Sequence, residues 1–416
     1  MDKEVRKLIL AEEKRQQETL SLIPSENIAS TDTLAALGSV FSNKYSEGYP
    51  GKRYYPGNKY VDDLEVMTQR RALKLFGLDP RRWRVNVQPY SGSPANLAIY
   101  LALVKPGDKI MGMKLADGGH LTHGHKVSAT GILWRSVQYG VDPRTGKLDY
   151  QAILALARKE KPKVIVSGFT AYPRRVDFKK FREIANAVGA YHVADISHIA
   201  GLVAGGVHPS PFPFADVVMT TTHKSLRGPR GAMIFTDGRS RLAKKLGVDL
   251  PLAIDKAVFP GLQGGPHDSS TAAIAQALAE ALQPRFKGYA KQIVKNALSL
   301  AKELLKRGFS LVAGGTDTHL ILIDLRGKGL DGTEGQHRLE KAGIIANRNS
   351  IPGDTSPFRP SGIRLGTPLA TTRGMKEKDM VLVAALIERA LTGDPKVKGE
   401  VAKLCRKFPV KRLPRR

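Results

Sequence analysis

The sequence is short of several things at once. Among its 416 residues there is a single cysteine, Cys405, so no intrachain disulfide can form; a disulfide-stapled framework and a cysteine-ligated zinc site are both excluded. No run of about 18 uncharged apolar residues occurs, which excludes a membrane-spanning helix. The opening Met1-Asp2-Lys3-Glu4-Val5-Arg6-Lys7 mixes both charges and lacks the apolar centre of a signal peptide. With these features the expected compartment is the reducing cytoplasm. Acidic residues are scarce too: 38 Asp plus Glu stand against 66 Lys plus Arg, a formal net charge of +28.

What is present reads as an ordinary globular chain, with 42% hydrophobic and 6% aromatic residues, which excludes disorder and collagen. The positive excess suits either a nucleic-acid or membrane-surface protein or an enzyme whose ligands are anions. Basic residues cluster only locally, at Arg70-Arg71, Arg81-Arg82-Trp83-Arg84 and from Lys403 to Arg416. No recognition-helix, zinc-finger or aromatic RNA-binding signature accompanies them. A basic surface on a protein with another task is the favoured reading, and nucleic-acid binding stands as a second activity to be tested.

Periodicity and breakers divide the chain into three regions. Residues 1–45 open with a helix carrying Val5, Leu8 and Ile9 and then turn irregular, an arm too small to fold alone. Residues 46–283 alternate short β-branched runs, such as Val164-Ile165-Val166, Tyr191-His192-Val193-Ala194 and Val217-Val218-Met219, with helical stretches. One of these helices, Phe178 to Val188, is closed by Gly189. That grammar predicts an α/β domain with a mostly parallel sheet covered by helices on both faces. Residues 284–416 predict a smaller α+β domain: a long helix with Tyr289, Ile293, Ala297, Leu300 and Leu304 on one face, a strand at Leu320 to Ile323, a short helix ending at Gly343, and a last helix from Met380 to Leu391.

Ligands of open α/β sheets bind beyond the carboxyl ends of strands, and three such ends here are chemically loaded. Asp195-Ile196-Ser197-His198 comes after one, Thr220-Thr221-Thr222-His223-Lys224 after a second, and a Ser91-Gly92-Ser93 turn leading into a helix from Ala95 to Leu103 after a third. Singly, each reads as a cap or a loop residue. Together, a turn that points N–H groups at a phosphate, a strand-end Asp and a Lys flanked by Thr and His form the set that pyridoxal phosphate needs. The Lys makes the Schiff base, the Asp keeps the pyridine nitrogen protonated and the turn holds the phosphate. His120, His123 and His125 invite a zinc reading, but Gly124 and Leu121 suggest a loop and no carboxylate or thiolate beyond Asp117 sits at ligand spacing, so no metal is expected.

These residues carry a resemblance. Thr222-His223-Lys224-Ser225-Leu226-Arg227-Gly228-Pro229-Arg230-Gly231 resembles the cofactor-lysine segment of the serine hydroxymethyltransferase family. The likeness extends to Leu22 to Asn27, Asn43 to Tyr55, Gly118 to Gly124, Asp195 to Gly201, Phe259 to Pro266 and Ser361 to Pro368. Pro24, where a small residue is usual, and Asp117 depart from the pattern. The resemblance implies a fold-type I, aspartate aminotransferase-like enzyme that transfers the hydroxymethyl carbon of L-serine to tetrahydrofolate. It implies pyridoxal 5'-phosphate as cofactor, tetrahydrofolate as cosubstrate, and a homodimer, with a tetramer as a further option, whose chains share active sites.

Carried over by position, the resemblance implies Lys224 as the cofactor lysine, Asp195 at the pyridine nitrogen and His120 stacked on the ring, with Thr221 among the catalytic residues. Ser91, Gly92, Ser93 and His223 serve the phosphate, while Tyr45, Gly264 and Gly265 arrive from the other chain. His198 and Thr170 lie near the ring oxygen and the substrate. Arg364 grips the amino-acid carboxylate, as a guanidinium suits, with Ser25 and Asn347 nearby. Glu47 handles protons at the substrate hydroxyl and Tyr55 from the partner shapes that corner. Leu115, Gly119, Leu121, Ser356, Pro357 and Phe358 line the pteridine site. Folate-independent relatives remain as alternatives, an aldolase of β-hydroxy amino acids or an α-methylserine hydroxymethyltransferase.

Overall fold

A computed structural model describes residues 1–356 and 358–410. The β-branched runs become a seven-stranded sheet: β1 (Trp83–Asn86), β2 (Lys109–Met113), β3 (Arg135–Tyr139), β4 (Val164–Gly168), β5 (Tyr191–Asp195), β6 (Val217–Thr221) and β7 (Ala232–Asp237), in the order β1-β7-β6-β5-β4-β2-β3. Six strands point the same way, five of them paired in parallel, and β7 alone is reversed, pairing antiparallel with both β6 and β1. The mostly parallel sheet is therefore as expected. Successive residues are apolar because both faces are covered. Ile165, Val218 and Phe235 enter one core with Phe181, and Val164, Val217 and Ile234 enter the opposite one with Ile99 and Tyr100.

A four-stranded antiparallel sheet, β8 (Ser310–Leu311), β9 (Leu320–Asp324), β10 (Asn347–Asn349) and β11 (Gly362–Gly366), is ordered β8-β9-β11-β10. The long helix Pro284–Lys306 buries Ile293, Ala297, Leu300 and Leu304 fully. Two helices differ from the sequence reading. Met380 to Leu391 lies within a helix running Glu377–Leu391, and it is not the last, because Val397–Lys407 forms another that buries Val401, Leu404 and Cys405. The helix expected from Ala95 starts earlier, at Gly92, since Pro94 falls in its first turn where no N–H is needed. Phe178–Val188 ends as expected at Gly189, whose φ of 66° is the left-handed value that glycine tolerates.

The arm begins with a helix, Lys3–Glu18, capped by the Asp2 carboxylate. None of its residues is buried within the chain, and Val5, Leu8 and Ile9 are all exposed. The chain then enters the smaller half. Leu20 and Ser21 pair in parallel with Ile344 and Ile345, and Leu20 and Leu22 are fully buried among Leu300, Ile321, Ile363 and Leu365. Pro24 packs against Gly366, where a Cβ would come within 2.5 Å of the proline Cα. No helix among the described residues is long and apolar enough to cross a membrane.

Candidate active site

The carboxyl ends of β4, β5 and β6 open onto one pocket, lined among others by Ser91, Gly92, Ser93, His120, Thr170, Asp195, His198, Thr221, His223 and Lys224. Parallel strands bring these sequence-distant segments to a common edge, which is why residues directly after strands meet there.

Lys224 extends from the loop after β6, and its Nζ donates to Thr221 Oγ1 at 2.9 Å. Burial pulls its ammonium down to about 8, with Asp195 opposing and Arg364 and Arg230 reinforcing the fall. Its backbone carbonyl accepts from Asn27 Nδ2 at 3.0 Å, so the arm's Ser-Glu-Asn segment braces the lysine loop.

Asp195 ends β5. Burial works against its charge, but hydrogen bonds from His123 and Ser197 and the nearby His120 prevail and hold the carboxyl well below the usual carboxylate range. Its Oδ2 lies 3.1 Å from His123 Nε2 and accepts from Asn96 Nδ2 at 3.1 Å, while Oδ1 accepts from Ser197 N–H at 3.0 Å. His123 and Asn96 are partners of Asp195 that sequence reasoning misses. By sequence His123 reads only as a zinc candidate, whereas its Nε2 is committed to Asp195. Asn96 has a usable signal in its place one turn beyond Gly92, in the helix that carries the phosphate turn. Among the described residues no group of three or more His, Cys, Asp or Glu side chains is arranged to hold a metal.

His120 hangs over the same pocket on the Gly118-Gly119 loop, with Nδ1 2.7 Å from Thr122 Oγ1. Burial, aided by His123, lowers its pKa to about 4, so the ring is neutral. Gly119 has no room for a side chain, because a Cβ there would run into the Met113 carbonyl. Asp117 turns inward, its Oδ2 accepting from Val141 N–H at 3.3 Å.

The turn at Ser91-Gly92-Ser93 presents the first N–H groups of Gly92–Leu103, and no side chain caps them. A Cβ on Gly92 would meet Thr221 Cγ2 at 2.8 Å, so backbone and not side chain must line this cradle. His223 adds a buried Nδ1 that lacks a partner, and burial lowers its pKa to about 3. An anion-accepting cradle, a lysine held near neutrality and a carboxylate held ionised fit pyridoxal phosphate.

The small sheet contributes Arg364 from β11. It is 7% exposed; Nη1 donates to the Thr170 carbonyl at 2.7 Å and Nε to Asn347 Oδ1 at 3.1 Å. Burial lowers its pKa to about 10, and it stays charged at neutral pH. Ser25 lines an adjoining groove with His223 and Arg230.

Five assigned residues gather elsewhere on the same chain. Tyr45 and Tyr55 rings lie 4.8 Å apart, Glu47 neighbours Tyr45 and raises its pKa, a Cβ on Gly264 would meet Glu47 Oε1 at 3.0 Å, and one on Gly265 would touch the Tyr45 ring at 3.4 Å. None of the five lines the Lys224 pocket of its own chain. Leu115 lies in a single turn, Leu115–Asp117, and Leu121 is 42% exposed. Ser356 and Phe358 sit on the loop before β11, where Ser356 Oγ accepts from Phe358 N–H and Phe358 is 88% exposed; Pro357 lies outside the described residues.

Comparison with known proteins supplies the family. The family model described as serine hydroxymethyltransferase matches residues 1–387. The chain is 55% identical over 427 residues to the serine hydroxymethyltransferase of Acidothermus cellulolyticus, covering 100% of this chain and 97% of that one. It is 54% identical to the protein of the same name from Desulfotalea psychrophila (98% and 94% covered), and 49% identical to that from Caenorhabditis elegans (98% and 82%). With the sheet order and the strand-end pocket already described, these matches make the fold that of the fold-type I pyridoxal-phosphate enzymes, and the chain belongs to the serine hydroxymethyltransferase family.

Proposed function

We propose that this protein transfers the hydroxymethyl carbon of L-serine reversibly to tetrahydrofolate, giving glycine and 5,10-methylenetetrahydrofolate, with pyridoxal 5'-phosphate as cofactor. The observation that carries the reading is the pairing in one pocket of a lysine lowered to about 8 with an aspartate held ionised by His123 and Asn96.

When bound, pyridoxal phosphate supplies a protonated ring that accepts the electron pair of a breaking bond. The rest falls to the protein. The N–H groups at Gly92 and Ser93 and the His223 side chain bind the phosphate, and Asp195 holds the proton at the ring nitrogen. Lys224, near 8, offers an unprotonated amine at modest cost. His120 presents a neutral face. Arg364 orients the serine carboxylate, which fixes the scissile bond relative to the ring, a positioning effect. Glu47 moves the proton at the serine hydroxyl, and the pteridine lies along Leu115, Gly119, Leu121 and Phe358.

The protein acts as a homodimer. Support comes from the separation of Tyr45, Glu47, Tyr55, Gly264 and Gly265 from the Lys224 pocket of their own chain, together with the exposed Val5, Leu8 and Ile9 of the arm. We assign residues 1–45 to the arm, 46–283 to the cofactor domain and 284–416 to the small domain, and place the protein in the cytoplasm on its lone, buried Cys405.

The test is spectroscopic. Pyridoxal phosphate added to the purified protein gives a visible band that borohydride fixes to the Lys224 peptide, and glycine with tetrahydrofolate moves the band to longer wavelength. A band indifferent to tetrahydrofolate refutes the folate step, and absence of any band refutes the cofactor assignment.

A further inference from the structure

Behind the Lys224 pocket lies a second cavity of about 20 Å³, room for one water, bordered on the small-sheet side by Thr318, His319 and Leu320. Three imidazoles line it, His198, His208 and His319, which are 6%, 6% and 1% exposed. His198 also lines the Lys224 pocket, so it forms the wall between the two spaces.

The hydrogen bonds among these rings have a direction. His208 Nδ1 lies 2.9 Å from the Pro209 carbonyl, which can only accept, so the proton sits on Nδ1 and Nε2 is an acceptor. His319 Nε2 lies 3.4 Å from His198 Nδ1, with the rings stacked 5.6 Å apart. One of those two nitrogens carries a proton and the other does not. His208 Nε2 and His319 Nδ1 are each buried without a partner, and both side chains border the one-water cavity. Buried nitrogens in native proteins are rarely left so.

We propose that a single water in this cavity donates to both His208 Nε2 and His319 Nδ1, which fixes the His319 proton on Nε2 and, through His198 Nδ1, keeps the His198 proton on Nε2, toward the Lys224 pocket. His319 and His208 are then positioning residues that set the tautomer of His198. The inference rests on the pyridoxal-phosphate reading above, because the cofactor's ring oxygen, carried as an oxyanion, requires a donor. The opposite direction, with His319 donating from Nδ1 to the water, would leave His198 Nε2 as a bare lone pair facing that oxygen. All three rings are neutral. Burial is the main cause for each, lowering His208 to about 4 and His319 to about 3 and His198 well below its ordinary value. The positive Arg364 and Lys224 add to the fall at His198 and His319. Arg175 lowers His208, which Asp317 and the Pro209 hydrogen bond partly offset. Asp195 and Arg174 complete the charged lining of the cavity.

The test reads protons on nitrogen. Cofactor-loaded protein labelled with ¹⁵N-histidine is examined by long-range proton–nitrogen NMR from about pH 6 to pH 9, with His319→Gln and His198→Gln used to assign signals. The expected pattern is His208 protonated on Nδ1, and His319 and His198 on Nε2, unchanged across the range. In His208→Leu, with near-UV circular dichroism and the visible band retained, His319 and His198 become mixtures of tautomers. A wild-type His319 protonated on Nδ1 or on both nitrogens overturns the proposal, as does a His319 pattern unmoved in His208→Leu. If that variant does not fold, the wild-type pattern decides alone. A missing visible band counts against the cofactor reading, while the tautomers are still read in the same sample.

Discussion

Lys224 makes a quantitative demand on stability. In the cofactor-free protein its ammonium sits where burial lowers the pKa from an ordinary 10.5 to about 8. At about 1.4 kcal/mol per tenfold change in proton affinity, the folded state is strained by roughly 3 kcal/mol when the lysine is charged. Replacing it in Lys224→Met removes that strain and also the hydrogen bond to Thr221 Oγ1, worth about 1 kcal/mol, so the variant gains about 2 kcal/mol net near neutrality. The sign comes from linkage. Below pH 8 both folded and unfolded lysines are protonated and the full strain is present; as pH rises from 8 to 10.5 the folded form is neutral while the unfolded form still binds its proton, so the wild type recovers stability relative to the variant. Above 10.5 only the lost hydrogen bond remains, and the order of stability reverses. Calorimetry on both proteins without cofactor, at about pH 7 and above pH 10, checks this. At about 2.1 cal/mol/K per residue of unfolding entropy, 2 kcal/mol corresponds to a Tm rise of about 2 °C for the variant at neutral pH. A variant less stable than wild type at neutral pH, or a Tm difference that does not change with pH, would refute the reasoning.

Other consequences are as direct. Asp195→Asn keeps shape but forfeits the charge that His123, Asn96 and Ser197 support; serine-dependent formation of methylenetetrahydrofolate drops about 10²-fold while circular dichroism is unchanged, the scale of a charge-assisted hydrogen bond. Gly119→Ala drives a methyl into the Met113 carbonyl and displaces the His120 loop, destabilising the protein by about 1–3 kcal/mol in denaturant unfolding; a neutral result would show that the loop relaxes freely. Mixing Lys224→Ala with Glu47→Gln subunits restores about a quarter of wild-type activity, because half the dimers are hybrids with one intact site; no recovery after subunit exchange would place Glu47 and Lys224 in the same chain's site.

Much of this site is legible in the sequence because a parallel sheet imposes a simple rule: residues just past the carboxyl end of a strand reach the ligand edge. Asp195, Lys224 and the Ser91-Gly92-Ser93 turn each stand at or soon after such an end and line one pocket. Residues that act sideways are harder to read. His123 reaches Asp195 because its loop crosses Gly112, where a Cβ would lie 2.5 Å from the His123 carbonyl, and that fit depends on tertiary packing. The helix Val397–Lys407 is hard to see because Gly393 and Pro395 break the pattern before it and its buried side is short. The resemblance gives Tyr45 and Tyr55 to the partner's site, but motif adjacency is silent on which chain Glu47 serves, although all three stand apart from Lys224 in one chain. The apolar residues of the first helix are legible as one face, but among the described residues no surface covers them.

The seating of Leu20 to Leu22 also constrains the order in which a newly made chain can assemble. These residues leave the ribosome well before their β partners, Ile344 and Ile345, and before Val401 and Leu404, which complete the apolar pocket around them. Strands β1 to β7 depend on no residue beyond 237 for their pairing, so vectorial synthesis lets the large sheet form while Leu20 to Leu22 wait, tethered and unpaired, for about 320 more residues. Closing so long a loop adds little entropy over a shorter one, and the delay is therefore one of timing. A segment translated before both sheets is placed after the large one, and it locks the small sheet beside Arg364 only once the residues around 344 to 405 have been made.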